Sequence, residues 1–348
     1  MIAALAISLA LIAPGGGPTA SLKPLLMPMP PIKSFPAPPP PIIDATAWMI
    51  WAEREDAEIG SLDPDSPRSF ASITKLMTGI VAVTTADLDS DVVISSAAAA
   101  TPIGYDGQPD VRFNETWGMR ELLALTMAGS GNKASSALAE GVAGTPEAFV
   151  DLMNARATEL GMTSTSFTNP HGLDDTGHRS TPRDLVTMGL YSLQFDELSH
   201  VTRLKAITWL KGTHEIAVTS TNRLLGQFPG YLGIKTGDTA AAGQTLLSYV
   251  DTGPTGLVAV VLGSTGRRVA TRELLAWGLT ALGPRDRFYA AAAGTELAGA
   301  FPSWYQTRVS APVPLDPGFR DPSEETPLTS VLTDGYLDLL PSILGGSE

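Results

Sequence analysis

Ser72 and Lys75 stand three positions apart at the head of an apolar run that continues to about Val83. On a helix, positions i and i+3 share a face, so the hydroxyl and the amine lie side by side. A serine hydroxyl becomes a nucleophile when a neighbouring base takes its proton, and a lysine can be that base only when neutral. An unperturbed lysine has a pKa near ~10.4, so this chemistry demands burial or a second cation close to Lys75. The same four residues would equally make a helix N-terminus with a capping serine and a surface lysine, so residues elsewhere must decide.

Two other stretches bear on the choice. Ser130-Gly131-Asn132 follows the apolar run Leu122–Met127, and Lys235-Thr236-Gly237 follows Tyr231-Leu232-Gly233-Ile234. Ser-x-x-Lys, Ser-x-Asn and Lys-Thr-Gly, in that order, form the three-part signature of penicillin-recognising serine enzymes, with Gly131 standing where Asp is common. Longer stretches extend the likeness: Ala71–Thr78, Gly129–Asn132, Asn169-Pro170-His171-Gly172-Leu173-Asp174-Asp175, Ser180–Leu185, Thr221–Leu225 and Gly233–Gly237. Over roughly residues 43 to 282 the chain resembles the D-alanyl-D-alanine carboxypeptidase family, the low-molecular-mass penicillin-binding proteins.

That resemblance implies roles. Ser72 would attack the carbonyl between two D-alanines of a peptidoglycan stem peptide, and Lys75 would be its base. Ser130 would pass a proton to the leaving amine, while Asn132 would bond both Lys75 and the substrate amide. Lys235 and Thr236 would meet the terminal carboxylate, which β-lactams mimic, and Arg223 is a second candidate for it beside an equally weighted structural ion pair. Gly237 would keep its strand open for substrate to lie alongside. The backbone N–H groups of Ser72 and Asp238 would form the oxyanion hole. His171 reads as structural. Two departures stand out: Lys133 follows Ser-Gly-Asn where relatives carry an acid, and Asp238 places an acid beside an anionic substrate. Rates and preferences, rather than the reaction class, are what they put in question.

Three rival readings share parts of this pattern. A class A β-lactamase shares the motifs but needs a Glu that activates water, and no Glu-x-x-x-Asn follows Ser130. A non-catalytic cell-wall-binding pseudoenzyme would have no reason to keep all of Ser72, Lys75, Ser130, Asn132, Lys235 and Thr236. DD-endopeptidase and transpeptidase activities share the acylation step with carboxypeptidases, so that alternative stays open.

The elements that must position these residues follow from pattern. Ala45–Ala52 reads as a first strand and the segment from Ser72 as a helix. Val92–Ile94 is a short strand candidate within a mixed stretch, residues 88–116. Met119–Met127, Lys133–Val142 and Pro146–Leu160 read as three helices, which puts Ser130-Gly131-Asn132 on an interhelical loop. Thr181 is a candidate N-cap for a helix to Leu193, with Pro182 at its first position. Ile207–Leu210, Glu215–Thr219, Leu232–Thr236, Gln244–Val250 and Gly256–Leu262 read as strands, and Arg267–Leu282 as a closing helix. The order fits an α/β (α+β) architecture, a helical subdomain inserted into an antiparallel sheet. It agrees with the five-stranded β-lactamase/transpeptidase-like fold that the resemblance implies.

Composition bounds the rest. A net charge of -13 over 348 residues leaves no basic patch for nucleic acid. With no cysteine and four scattered histidines, neither a disulfide framework nor a metal site is expected, and no cofactor is implied. Residues 2–13 are continuously apolar, which reads as a secretory signal processed near Ala20, an uncleaved membrane anchor, or a buried element. Residues 21–42 carry nine prolines and read as a semi-rigid spacer. The expected division is a signal-like segment at 1–20, a Pro-rich linker at 21–42, a catalytic domain at 43–283 and a partly irregular extension at 284–348. Gly335–Leu344 is apolar but carries Asp338 and no Lys or Arg, so no C-terminal anchor is expected. The reading is of an exported protein of the cell wall or periplasmic space, touching membrane only through an uncleaved N-terminal segment.

Overall fold

A computed structural model describes residues 38–282, except 106, 212–213 and 254–255. The segment 1–20, the Pro-rich stretch as far as 37 and the extension 284–348 lie outside the described residues. In chain order the elements begin with β1 (Ala47–Ala52), β2 (Ala57–Leu62), a 3-10 turn (Ala71–Ile73) and α1 (Thr74–Thr85). Next come β3 (Asp91–Val93), α2 (Ser96–Ala100), β4 (Thr116–Gly118), α3 (Met119–Met127), α4 (Asn132–Ala143) and α5 (Pro146–Glu159). Then α6 (Pro182–Ser192), α7 (Asp196–Val201), β5 (Ala206–Lys211) and β6 (His214–Thr219) lead to β7 (Tyr231–Thr239), β8 (Gly243–Asp251), β9 (Gly256–Ser264) and α8 (Arg267–Ala281).

One antiparallel sheet in the order β2-β1-β9-β8-β7 carries the fold. Its central strands, β1, β9 and β8, are largely buried on both faces, because helices cover both. Successive side chains along a strand point to opposite faces. Accordingly Met49, Leu247, Tyr249, Val258 and Val260 enter one core with α1 and α3–α6. Trp48, Ile50, Leu246, Leu257 and Val261 enter the other, with Leu274 and Leu275 of α8. The two cores hold the sheet rigid from either side.

α1 is buried on every face from Thr74 to Ala82, which makes it the axle of the helical half. Its apolar run is what the sequence displays from Leu76 onward. The helix expected to begin at Ser72 begins instead at Thr74, after the 3-10 turn. The cause is Ala71, whose φ of 51° breaks the helical path just before Ser72. α6 starts as expected, with the Thr181 hydroxyl accepting from Asp184 N at 3.2 Å and Pro182 in the first turn.

Two of the expected strands leave the main sheet: among the described residues β5 and β6 pair only with each other. β2 takes the vacated place at the far edge beside β1. Among the described residues β7 is the other edge of the sheet, with β8 as its one strand partner; the 3-10 turn packs against it and Lys235 reaches the α3–α4 loop.

Candidate active site

Three elements converge between the helical half and β7. The 3-10 turn and first turn of α1 carry Ser72 and Lys75, the α3–α4 junction carries Ser130 and Asn132, and β7 carries Lys235 to Asp238. Lys75 is fully buried, and its Nζ lies 2.9 Å from Ser72 Oγ and 2.7 Å from Asn132 Oδ1, with the His171 carbonyl as a third partner. Burial, with the charge of Lys235 second, holds the Lys75 amine well below the ordinary lysine range. A neutral amine has two N–H groups and one lone pair. The Asn132 and His171 oxygens can only accept, so they take both N–H groups. The lone pair is left for Ser72, the one partner that can donate. The arrangement is that of a base aimed at a hydroxyl.

Lys235 is the second buried cation. Its Nζ donates to Ser130 Oγ at 3.0 Å and to the Thr236 carbonyl at 3.0 Å. Burial, with the nearby Arg267 second, brings its amine down to about 7. Ser130 is held at φ 54°, a left-handed backbone that turns its hydroxyl from the end of α3 toward β7. Thr236 Oγ1 lies 2.5 Å from Thr221 Oγ1, tying β7 to the loop that follows β6.

Asn132 opens α4. Its Oδ1 serves Lys75, and its Nδ2 donates to the Pro102 carbonyl at 2.9 Å. One of the amide hydrogens expected for substrate is therefore already used, and one remains. Gly237 has a packing reason that strand openness did not anticipate. A Cβ there would stand 2.4 Å from Thr245 Oγ1 and 2.9 Å from Ser72 N, so only glycine lets β7 approach the 3-10 turn without covering that N–H.

The outer rim is charged. Asp238 and Arg267 form an ion pair at 3.3 Å, and the same guanidinium nitrogen donates to the Gly237 carbonyl at 2.9 Å. Arg223 is exposed on the loop before β7 and forms no ion pair among the described residues, so the alternative reading of it as an ion-pair residue has no support there. Its charge reaches Tyr105, whose hydroxyl donates to the Gly129 carbonyl beside Ser130. Lys133 points away to Asp110 at 2.7 Å. Asp174 accepts from Thr239 Oγ1 at 2.6 Å and from Ala241 N at 3.1 Å, pinning the 169–175 loop to the end of β7. Among the described residues no group of three or more His, Asp or Glu is placed to hold a metal.

Sequence reading missed three contributors. Arg267 lies some thirty positions beyond Lys-Thr-Gly, on a helix that nothing in the pattern ties to β7. Thr74 sits inside the Ser-x-x-Lys stretch but reads as filler. His178 has no motif spacing to Ser72 at all, yet both Thr74 and His178 lie against the turn that carries it.

Comparison with known proteins identifies the family. The family model described as D-alanyl-D-alanine carboxypeptidase matches residues 34–266. The D-alanyl-D-alanine carboxypeptidase DacD of Salmonella typhimurium is 31% identical over 255 residues, covering 70% of this chain and 64% of that protein. The D-alanyl-D-alanine endopeptidase of Escherichia coli is 33% identical over 223 residues, covering 63% of this chain and 71% of that protein. The crystal structure of the Streptomyces K15 DD-transpeptidase is similar with a TM-score of 0.63 and 26% identity, over 69% of this chain and 98% of that one. The chain spans less than two thirds of the length of the first carboxypeptidases it matches.

Proposed function

Since the chain belongs to the D-alanyl-D-alanine carboxypeptidase family, we propose that it is a serine DD-peptidase that removes the terminal D-Ala from peptidoglycan stem peptides. The observation that carries the reading is the buried amine of Lys75, 2.9 Å from Ser72 Oγ and bonded to the Asn132 and His171 oxygens, so that in its neutral form the lone pair is left to Ser72.

In the proposed course, Lys75 takes the Ser72 proton as Oγ bonds to the carbonyl carbon between the two D-alanines. The negative charge that develops on oxygen is met by the N–H groups of Ser72 and Asp238, aimed before the reaction begins. Collapse breaks the C–N bond. The proton passes from Lys75 through Ser130 to the leaving amine, and D-Ala departs. Water, deprotonated along the same route, then hydrolyses the ester and restores Ser72. Lys235 and Thr236, with Arg223 on the rim, hold the terminal carboxylate, and a β-lactam with its carboxylate in that place would acylate Ser72 too. Without a dedicated water-activating Glu, that second acyl-enzyme is long-lived.

On this reading residues 43–283 are the catalytic domain and the Pro-rich 21–42 stretch is a spacer. The protein works outside the cytoplasm, released or tethered by the apolar 1–20 segment. A DD-endopeptidase is the second reading. Its support is that the Escherichia coli endopeptidase is matched over 71% of its length, more than the first carboxypeptidases are.

The deciding experiment labels the protein with a fluorescent penicillin beside Ser72→Ala. A covalent signal that persists for hours and vanishes in the variant is expected, together with release of D-Ala from a peptide ending in D-Ala-D-Ala. No label on the unsubstituted protein would overturn the penicillin-binding serine reading. D-Ala release absent while a cross-linked dimeric stem peptide is cut would select the endopeptidase.

A further inference from the structure

Behind Ser72 lies a chain of hydrogen bonds whose direction is determined at both ends. At the far end, the backbone N–H of Thr168 donates to His178 Nδ1 at 3.1 Å. That nitrogen is therefore the acceptor of the ring, and Nε2 carries the hydrogen. At the near end, the Thr74 hydroxyl gives its one hydrogen to the Ala71 carbonyl at 2.7 Å. The 2.7 Å contact between His178 Nε2 and Thr74 Oγ1 can then run only from imidazole to hydroxyl. Burial brings the imidazole down to about 4, so it is neutral near pH 7. Phe70 stacks on the ring at 4.8 Å and Phe167 meets it edge-on at 5.9 Å, which leaves it one orientation.

The chain ends on a significant peptide group. The carbonyl of Ala71 and the N–H of Ser72 belong to one planar trans unit and point in opposite directions. Holding the oxygen therefore aims the N–H. Ala71 sits at φ 51°, a conformation that alanine adopts only when its surroundings impose it. Gly172 makes room for the arrangement: a Cβ there would stand 2.2 Å from the Ala71 oxygen and 2.7 Å from Thr74 Oγ1. Hydrogen bonds in series also polarise one another, so an engaged carbonyl makes its partner N–H a stronger donor.

We propose that His178 and Thr74 are positioning residues for the oxyanion hole, acting through the Ala71–Ser72 peptide to aim and strengthen the Ser72 N–H. This rests on the reading of Ser72 as the acylating serine. Neither side chain touches substrate. Their contribution appears only when negative charge develops on the carbonyl oxygen, so it belongs to the rate of acylation and not to binding.

The test uses the full chain, with penicillin acylation measured for the unsubstituted protein, Thr74→Val and Thr74→Ser. Valine keeps the volume and removes the hydroxyl. The expected result is acylation about ten- to a hundredfold slower in Thr74→Val, short of deleting an oxyanion donor outright, with penicillin's noncovalent dissociation constant unchanged and the rate restored in Thr74→Ser. The infrared stretch of the acyl-enzyme ester carbonyl reads the donor directly. It should move to higher wavenumber in Thr74→Val, because a weaker hydrogen bond lengthens the C=O less. If Thr74→Val is too unstable to assay, His178→Gln gives the same readout from the other end of the chain. An ester stretch identical to that of the unsubstituted protein, or slow acylation that Thr74→Ser does not rescue, would overturn the positioning role alone. Failure of the unsubstituted protein to acylate would instead remove the Ser72 reading, and this proposal with it.

Discussion

The two walls of the cleft are built on opposite plans. On the helical wall Lys75, Ser130 and Asn132 are buried, Lys75 is bonded to Ser72 and Asn132 while Ser130 meets Lys235, and burial holds the Lys75 amine well below the ordinary lysine range. On the rim of β7, Asp238 is more than half exposed, Arg267 shares it with a backbone carbonyl, and Arg223 faces solvent. Buried polar groups in a low dielectric interact strongly and in one geometry only. Exposed charges are screened and adaptable. The first wall suits bond-making, where an error of an ångström is costly. The second suits capture of an anion whose remaining parts vary. Lys235 belongs to both: it lies on the strand yet is as deeply buried as Lys75.

If this division is right, the largest loss comes from the buried wall. Lys75→Met preserves much of the volume and removes the base, and should slow acylation by fluorescent penicillin by about 10²- to 10⁴-fold, the usual worth of a placed proton acceptor. The noncovalent affinity for penicillin should change little. A loss expressed mainly as weaker binding would mean that Lys75 serves recognition, and the two walls would not differ in kind.

Gly237→Ala comes next, and it strikes where the walls touch. The new methyl would stand 2.9 Å from Ser72 N and 2.4 Å from Thr245 Oγ1, so the strand must move or the N–H is covered. Losing one oxyanion donor costs about 2.7–4 kcal/mol, or 10²- to 10³-fold in rate. Acylation should fall within that range, with overpacking costing about 1–3 kcal/mol of stability and lowering the melting temperature by a few degrees. A variant that acylates at the normal rate would show that β7 can retreat without consequence.

How far these contacts were legible beforehand follows a physical line. Residues whose meaning lies in local spacing were readable: Ser72 with Lys75, Ser130 with Asn132, Lys235 with Thr236, and the Thr181-Pro182 helix start. Long apolar segments were readable as elements, because α1 and the β8 and β9 strands are buried on every side. Most short or exposed elements were not, although the three-residue β3 lies within a residue of the expected Val92–Ile94. α2 is an alanine run with no periodicity, β4 has three residues, and β2, at the sheet edge, is exposed at both ends. Pairing was not readable either: nothing in Ala206–Thr219 says that β5 and β6 satisfy each other, apart from the sheet. The 3-10 turn was hidden because its cause, Ala71 at positive φ, is imposed from outside by Gly172, Thr74 and His178. Long-range hydrogen bonds of that kind leave no periodic trace.

The pH profile tests the residue common to both walls. With its amine at about 7, Lys235 is charged below that pH and neutral above it. On the proposed reading its charge attracts the substrate carboxylate, and that same charge lowers the pKa of Lys75. As pH rises through 7, kcat/KM for an anionic substrate should therefore fall, by up to about tenfold per pH unit, since kcat/KM reports ionisations of the free enzyme. The fall should be shallow for kcat, because bound carboxylate restores the proton on Lys235. A kcat/KM that is flat from pH 6 to 9 would place Lys235 outside the recognition of the anion.

The smallest expected effect belongs to the exposed rim. Asp238 looks unfavourable beside an anion, but Arg267 lies 3.3 Å away and offsets much of its field. Two charges about 4 Å apart in water interact by about 1 kcal/mol, close to fivefold in affinity, and salt weakens that further. Asp238→Asn should accordingly raise kcat/KM for an anionic β-lactam by about two- to fivefold at low ionic strength, with the gain shrinking at about 0.5 M salt as the Debye length shortens. The backbone N–H at this position is untouched by the substitution, so the rate of ester formation from bound substrate should not change. A gain far above that range, or one indifferent to salt, would mean that Asp238 obstructs the site by shape or by a buried charge. The rim would then be as sharply built as the helical wall opposite it.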